Sequence, residues 1–335
     1  MTDEMDHQER VRAALRGEDV DRPPVSMWRH FYVEETSPDG LADAMLGFQR
    51  RYDWDFMKLN PRASYHAEDW GLKMRYSGDD APQAVGWPIQ QPEDWLELEV
   101  LDPNRGVLGE HLGALDTIAR GLDSQVPILM TVFTPLSIAA RLAPSEEVFM
   151  SHLRENGESV KHALEVVTET FVRFATACLE RGAGGLFYAT TSWATTDMMT
   201  REEYTRYARP YDLKLLDALP ECEFNLLHVC KENNMLADLA DYPVHAFNWD
   251  SRSPTNLSLA PGKALLGGKT VVGGLDNGTE LIEAAPEELA WEARGIRSAM
   301  GDEGWMLGTG CTFKPETPEA NVRAIRDAAG GILVP

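Results

Sequence analysis

Eight short apolar runs alternate with helical patterns along the 335-residue chain, which predicts an α/β fold, a (β/α)8 TIM barrel. The patterns between the runs are long enough for the crossover helices that parallel strands require. No internal stretch has the composition of a linker, so we expect a single domain over 1–335. Residues 61–103 are rich in turns and tryptophan, and we expect them to form a cap-like insertion over the barrel mouth after the second strand, with a small β-hairpin.

The strands are predicted from apolar runs that glycine, proline or polar residues bound on both sides. In chain order they lie at 22–30, 56–60, 126–132, 184–189, 223–229, 244–249, 269–274 and 305–307. The first of them includes an opening turn at Pro23 and Pro24, and most end on a polar residue.

The helices are predicted from apolar residues spaced three or four apart and from terminal signals. They lie at 9–15, 41–52, 109–121, 145–181, 200–219, 286–300 and 317–329. The helix at 145–181 has the strongest pattern, and its apolar face includes Cys178, which we therefore assign to the core. Thr200 and Glu203 form a capping box, and Pro318 lies in the first turn of the last helix.

The composition excludes several classes of function. The chain has 54 acidic and 31 basic residues, a net charge of −23, and so lacks the basic surface that nucleic acids or anionic membranes require. The longest apolar run is too short to span a bilayer, and the first ten residues have no apolar core of a signal peptide. Four cysteines in so long a chain do not form a disulfide framework. We therefore expect a soluble cytoplasmic protein.

Three residues form a candidate metal site. His228 and Cys230 come at the end of the fifth strand, and Cys311 follows the eighth. A His-x-Cys pair at a strand end projects both side chains to one face, and imidazole with thiolates is a ligand set that favours zinc. Three protein ligands leave one position open, as in catalytic zinc sites. The alternative is that all three are ordinary buried residues.

The carboxyl ends of barrel strands meet at one mouth, where active sites lie. Polar residues follow nearly every predicted strand: Arg29, Asn60, Thr134, Ser192, His228, Cys230, Asp250, Asn277 and Cys311. The three candidate ligands therefore share one mouth and could bind one metal ion. Asp250 and Asp276 could orient His228, or they could cap the turns that follow them.

Four stretches, in this order, resemble the uroporphyrinogen decarboxylase superfamily over nearly the whole chain. They are Arg22-Pro23-Pro24-Val25, the segment from Ser192 to Lys214 with its spaced tyrosines, Gly273-Gly274-Leu275-Asp276, and Gly310-Cys311 with the segment from Pro315 to Val322. The resemblance implies a TIM barrel, which agrees with the strand count.

The residues that mark true decarboxylases in this superfamily are mostly absent. Their N-terminal motif is Arg-x-x-x-Arg, and here Arg29 matches the first arginine while Val33 stands at the second. Asn60 stands near their substrate-binding aspartate, and Thr309 replaces a usual histidine. The loss of an arginine leaves charges of a polyanionic substrate unpaired, so porphyrinogen decarboxylation is not expected.

The chain is more similar to the zinc-dependent corrinoid:thiol methyltransferases of the superfamily. Their His-x-Cys motif and later cysteine match His228, Cys230 and Cys311. The resemblance implies a zinc-activated thiol acceptor and a methylated corrinoid as donor, supplied by a partner protein. One departure is Lys231-Glu232 after Cys230, where these methyltransferases more often have glycine and small polar residues.

The first functional hypothesis is therefore a zinc-dependent methyltransferase that moves a methyl group from a corrinoid or similar donor to a thiol. Its pocket is expected to include Arg29, Asn60, Tyr188, Ser192 and Asp250. The expected partners are a small-molecule substrate and a corrinoid protein, and a homodimer is compatible with the sequence. The alternative is a metal-free carboxy-lyase acting on a smaller acid through Arg29. A corrinoid carrier is disfavoured, because the chain has no Asp-x-His-x-x-Gly pattern.

Overall fold

A curled sheet of seven parallel strands forms the centre of the computed structural model, which describes residues 4–122 and 125–330. The strands are β1 (Met57–Leu59), β2 (Lys73–Ser77), β3 (Asp80–Gly86), β4 (Ile128–Phe133), β5 (Gly185–Ala189), β6 (Leu226–Val229), β7 (Ala246–Trp249), β8 (Thr270–Leu275) and β9 (Trp305–Thr309). The parallel sheet has the order β1-β4-β5-β6-β7-β8-β9, and β2 and β3 form a separate antiparallel pair. The predicted α/β barrel class is confirmed.

Helices follow the strands and cover the outer face of the sheet. They are α1 (His7–Arg16), α2 (Pro38–Tyr52), α3 (Tyr65–Glu68), α4 (Gly106–Gly121), α5 (Pro135–Arg141), α6 (Glu146–Glu155), α7 (Gly157–Glu180), α8 (Arg201–Tyr207), α9 (Arg209–Ala218), α10 (Leu259–Leu265), α11 (Thr279–Glu283), α12 (Pro286–Met300) and α13 (Glu319–Ala329). In the described ranges, no helix combines the length and the apolar character that crossing a membrane requires.

The predicted first strand at 22–30 is wrong as a full strand. Val25 forms only an isolated parallel bridge with Leu307 of β9, and Arg29 forms another with Phe313. The reason is that Pro23 and Pro24 have no N–H group to donate to a ladder. The segment still closes the barrel, because Ser26 N donates to Leu307 O at 3.1 Å and Asp55 N, just before β1, donates to Val25 O at 3.0 Å.

Two predicted helices are each divided in the structure. The pattern at 145–181 gives α6 and α7, which separate at Asn156, where ψ is 41°. Gly157 follows, and a Cβ there would lie 2.9 Å from the Tyr207 hydroxyl, so glycine allows the close approach of α7 to α8. The pattern at 200–219 gives α8 and α9, which separate at Ala208, because Pro210 has no N–H group to donate to the carbonyl of Arg206. The capping box of Thr200 and Glu203 is present as predicted.

The cap-like insertion contains the predicted hairpin, formed by β2 and β3. Its tryptophans are structural. Trp95 is fully buried and donates from its indole N–H to His152 Nδ1 at 3.1 Å, and the Trp70 indole donates to Glu99 O at 3.0 Å. The single domain over 1–335 stays a prediction, since its ends at 1–3 and 331–335 lie outside the described residues.

The interior of the barrel and the layer between sheet and helices are two separate apolar clusters. The interior cluster includes Phe56, Phe187, Leu226 and Met306, and Val11 and Ala14 of α1 pack into it. The larger cluster includes Tyr188, Leu227 and Cys178, which confirms the core position predicted for that cysteine. Successive strand residues therefore alternate between barrel interior and helix layer, and this alternation decides which side chains reach the site.

Candidate metal centre

His228, Cys230 and Cys311 lie together at the carboxyl ends of β6 and β9. Cys311 Sγ is 3.7 Å from Cys230 Sγ and 3.6 Å from His228 Nε2, and the three potential ligand atoms all lie within 4.8 Å of one another. The histidine is buried and both cysteines are partly exposed. Cys311 follows Cys230 by 81 positions and His228 by 83 positions, so the fold brings the predicted cluster together in space.

These separations match the edges of a tetrahedron of zinc ligands. Zinc–sulfur bonds of ~2.3 Å and zinc–nitrogen bonds of ~2.0 Å place two sulfurs roughly 3.8 Å apart and a sulfur and a nitrogen roughly 3.6 Å apart. The observed 3.7 Å and 3.6 Å agree with both values. The third pair, Cys230 Sγ and His228 Nε2, lies within 4.8 Å, so the cluster could hold a zinc ion once these two atoms approach by up to about 1 Å, and a fourth position would remain open.

Asn248 fixes the orientation of His228. The two residues are register partners on β6 and β7, and Asn248 Oδ1 lies 2.6 Å from His228 Nδ1. Asn248 Nδ2 donates to Val272 O at 2.8 Å and to Thr309 O at 3.0 Å, so the amide oxygen must be the acceptor. His228 therefore carries its proton on Nδ1, and Nε2 presents its lone pair to the cluster.

We expect Asn248→Ala to weaken metal binding about 10- to 100-fold, because the imidazole loses the bond that fixes its tautomer and ring orientation. Competition with a calibrated chelator measures the affinity. Asn225→Ala is a matched control. Asn225 is also buried, but it precedes β6, at the end opposite to His228, and its side chain accepts from Leu186 N. Equal losses of metal affinity in the two variants would contradict the assigned role of Asn248.

The two cysteines are electrostatically different. A hydrogen bond from Cys230 lowers the pKa of Cys311 well below the ordinary thiol range, against the effect of burial. The same hydrogen bond and burial raise the pKa of Cys230. Cys311 is thus predisposed to be a thiolate, the form in which cysteine binds metals.

A cavity of about 230 Å³ opens directly beside the cluster. Phe187 forms part of its wall and stacks on the His228 ring, with 5.2 Å between centroids and 29° between planes. Of the predicted pocket residues, Asn60 lines this cavity along with the three candidate ligands, whereas Arg29, Tyr188, Ser192 and Asp250 do not.

Lys58 is a cavity residue that the sequence analysis missed. It is 5% exposed, and its ammonium donates to Asn60 Oδ1 and lies 4.6 Å from the centre of the Phe187 ring. Burial lowers the pKa of Lys58 to about 7, against the attraction of Cys311, Glu35 and Cys230. Lys58 and Asn248 share a signal that could have found them: each is a polar residue inside an apolar strand run rather than after its end.

Tyr188 points away from the cavity. Because Phe187 and Ala189 face the interior, the alternation of β5 directs Tyr188 into the helix layer. There its hydroxyl donates to the buried carboxylate of Asp212 at 3.3 Å, and Tyr204 and Tyr242 donate to the same carboxylate at 2.9 and 2.8 Å. Tyr188 is therefore part of a buried network.

The Asp212 network makes a prediction for stability. Burial raises the pKa of Asp212 to about 7, although the three tyrosine hydrogen bonds oppose this shift. A carboxyl whose pKa is higher in the folded state than in the unfolded state adds to the free energy of unfolding at low pH. For Asp212 this contribution is fully present below pH ~4 and is lost as pH rises through about 7, and it is on the order of 4 kcal/mol. We expect Asp212→Asn to flatten this decline in the free energy of unfolding, measured by urea titration between pH 4 and 8. The exposed Asp217→Asn on the same helix should keep the decline, and an unchanged pH slope in Asp212→Asn would contradict the prediction.

Arg29 and Ser192 lie outside the cavity. Arg29 Nε donates to His30 O at 3.1 Å and Nη1 to Pro315 O at 3.0 Å, and the side chain lines a neighbouring hollow beside the tip of the β2–β3 hairpin. The Ser192 hydroxyl is directed to Glu146 at 3.5 Å. Neither side chain is placed to contact a molecule bound at the metal cluster, and a substrate role for either stays a prediction.

Asp250 and Asp276 cap turns and do not bond to His228. Asp250 Oδ1 accepts from Arg252 N at 3.0 Å and Ser253 N at 3.2 Å, and Asp276 Oδ2 accepts from Gly278 N and Glu280 N. Of the two interpretations of these aspartates, the capping one is confirmed. Asp250 also borders Gly310, where a Cβ would lie 2.8 Å from Asp250 Cα, so glycine is needed beside Cys311.

The chain is similar over nearly its whole length to known proteins. The profile of the uroporphyrinogen decarboxylase (URO-D) family matches residues 6–331. The chain belongs to the URO-D family. Methylcobamide:CoM methyltransferase MtbA of Methanosarcina acetivorans is 24% identical over 347 residues, covering 96% of this chain and 97% of that protein.

A decarboxylase matches less of the chain than the MtbA methyltransferase does, and a solved methyltransferase structure shares the fold. The uroporphyrinogen decarboxylase of Syntrophotalea carbinolica is 26% identical over 250 residues, but the match covers 72% of this chain. The solved structure of a methyltransferase from Methanosarcina mazei superposes with a TM-score of 0.84 at 23% identity, covering 98% of this chain and 99% of that one. The predicted position, nearer the methyltransferases than the decarboxylases, is confirmed.

Lys231 is the residue at which this URO-D member departs from the expected methyltransferase pattern. Its φ is 71°, in the left-handed region that glycine adopts without strain. The backbone after Cys230 thus has the conformation that a glycine would favour, although lysine occupies the position. The chain accepts this strain at an exposed residue that borders the cavity.

Proposed function

We propose that this URO-D family protein is a zinc-dependent methyltransferase that moves a methyl group from a methylated corrinoid, or a similar donor, to a thiol. The observation that carries the proposal is the cluster of His228, Cys230 and Cys311, whose Sγ–Sγ and Sγ–Nε2 separations of 3.7 and 3.6 Å suit a tetrahedral zinc ion. The cluster opens on a cavity large enough for a small thiol.

The residues around the cluster have distinct roles in this proposal. His228 Nε2 and the sulfurs of Cys230 and Cys311 would hold the metal. Bound zinc would supply a Lewis-acidic position at which a thiol loses its proton and stays nucleophilic at neutral pH. Asn248 holds the imidazole in the required tautomer through the 2.6 Å bond to Nδ1.

The cavity wall controls what reaches the cluster. Phe133, Phe187 and Ala189 make much of it apolar, and Phe187 covers one face of the His228 ring. An apolar wall limits the number of water molecules that can hydrate a thiol sulfur, and partial desolvation makes that sulfur a stronger nucleophile. The wall therefore favours attack of the thiol sulfur on a methyl group over hydration of that sulfur by solvent water.

The names of similar proteins support the same reaction. The match to the methylcobamide:CoM methyltransferase of Methanosarcina acetivorans covers nearly the full length of both proteins. The match to the decarboxylase is shorter. The protein is expected to take its methyl group from a corrinoid carried by a partner protein. Its acceptor is expected to be a thiol.

The test is a methyl-transfer assay with methylcobalamin and a panel of small thiols. Loss of the methyl group changes the visible absorption of the corrinoid, and mass spectrometry identifies the methyl thioether. We expect transfer by zinc-loaded protein, loss of transfer after zinc removal, and recovery on adding zinc back. Decarboxylation of a small acid that persists after chelation, without methyl transfer, would support the carboxy-lyase alternative and contradict the proposal.

A further inference from the structure

Lys58 is a buried cation without a carboxylate partner. It is 5% exposed, and its surroundings are Asn60 Oδ1 and the faces of Phe187 and Trp28, at 4.6 and 6.0 Å from the ring centres. Within residues 4–122 and 125–330, no acidic side chain forms an ion pair with it. A divalent metal would offset the charges of the two cysteine thiolates, so Lys58 would remain without a counter-ion in the loaded protein.

Asn60 provides an unused hydrogen-bond donor beside this cation. As an ammonium, Lys58 can only donate, so its contact with Asn60 Oδ1 fixes the orientation of the amide and assigns the donor to Nδ2. Nδ2 is buried and has no hydrogen-bond partner among the described residues, although Asn60 lines the cavity. Buried polar groups are rarely left unpaired, so an acceptor is expected to come from a bound molecule.

We propose that Lys58 and Asn60 bind the carboxylate of a small thiol acid whose sulfur is directed to the metal cluster. Both residues lie on the cavity wall, and the centre of the Phe187 ring is 4.6 Å from the Lys58 ammonium and 5.2 Å from the centre of the His228 ring, so a chain of a few carbon atoms spans the two sites. This inference rests on the proposed function, since it assigns an acceptor for the same site.

A carboxylate fits the two donors better than other acid groups. Its oxygens accept charge-assisted hydrogen bonds from an ammonium and an amide in one plane. A sulfonate is a much weaker base, and its charge is spread over three oxygens, so it gains less from a buried ammonium. Two other polar residues of this wall are engaged, because the Thr131 hydroxyl donates to Leu59 O at 2.7 Å and the Arg62 guanidinium pairs with Glu68 and Glu110.

The test is calorimetric titration of zinc-loaded full-length protein with 3-mercaptopropionate, 3-mercapto-1-propanol and 2-mercaptoethanesulfonate. We expect the carboxylate to bind roughly 10- to 100-fold more tightly than the alcohol, the range of a buried charged hydrogen bond. Lys58→Met should remove this advantage and leave the binding of the alcohol unchanged. Asn60→Asp, which supplies an internal carboxylate for Lys58, should do the same and serves if Lys58→Met does not fold.

Lys314→Met is the matched control, because Lys314 is exposed and lines the neighbouring hollow rather than the cavity. It should bind all three thiols as the wild type does. If Lys58→Met loses binding of the acid and of the alcohol equally, the proposal is overturned and Lys58 is assigned to the thiol sulfur. If the sulfonate binds more tightly than the carboxylate, the choice of a carboxylate is overturned. Zinc content and alcohol binding in the wild type test the proposed function separately, since neither depends on Lys58.

Discussion

Cys311→Ala is expected to lower zinc affinity by more than about 100-fold, because the loss of a ligand should cost more than the loss of a group that only orients one. Cys311 is the member of the cluster with the lowered pKa, and it lies within 3.7 Å of both other candidate ligands. Methyl transfer should fall in parallel. The zinc content per chain, measured by mass spectrometry after dialysis against a mild chelator, checks the expectation.

Cys222→Ala is the control for this substitution. Cys222 is a half-buried free thiol that lies outside the cluster, so its removal should leave the zinc content unchanged. If Cys311→Ala retains zinc as firmly as Cys222→Ala does, then the metal is bound elsewhere and the assignment of the centre is wrong.

Asp55→Asn is expected to lower the free energy of unfolding by about 3–5 kcal/mol, the range for removing one charge from a buried ion pair. The Asp55 carboxylate is fully buried and accepts from Arg10 at 2.7 Å, from Arg22 at 2.5 and 2.9 Å, and from Val25 N at 2.7 Å. Its loss leaves the buried guanidinium of Arg22 without its carboxylate partner among the described residues, and it leaves Arg10 with Asp21 alone. It also loosens Val25, which joins β9 to β1.

The same carboxylate sets a pH dependence. Burial alone would raise the pKa of Asp55, but His7, Arg22 and Arg10 hold it well below the ordinary range. A lowered folded pKa stabilises the protein above the unfolded pKa of ~4 and loses that effect in acid, so the deficit of Asp55→Asn should shrink as pH falls below 4.

Urea denaturation checks both expectations. Asp53→Asn is the control, because Asp53 contacts His7 and Arg326 but is exposed, so its loss should cost about 1 kcal/mol or less. Equal destabilisation by the two variants would contradict the central role of Asp55.

The barrel could be predicted from the sequence because its strands are short apolar runs at regular spacing. The prediction of the first strand was wrong for a local reason, since Pro23 and Pro24 have no N–H group to donate to a neighbouring strand. The segment still occupies the predicted place between β9 and β1. The division of helix 200–219 also has a local cause in Pro210. Both errors concern where an element begins or ends rather than the order of elements.

The metal cluster could be predicted because its ligands follow strands and are chemically distinctive. The surrounding pocket could not, because sequence position after a strand does not show where a side chain points. Tyr188 lies one residue out of phase with the interior of β5, and Asp250 is held by the turn that follows it. Asn248 lies within β7, where only the register with β6 reveals its contact with His228. Lys58 lies within β1, two residues before Asn60, and not after the strand end where pocket residues were sought.

The central claim is that His228, Cys230 and Cys311 hold a zinc ion with one position open for a thiol. X-ray absorption at the zinc edge of the purified protein, with and without an added thiol, tests it most directly. The expected spectrum has about one nitrogen and two sulfur ligands from the protein and gains one sulfur when the thiol is added. A purified protein without zinc, or a zinc spectrum that does not change on adding the thiol, would contradict the claim.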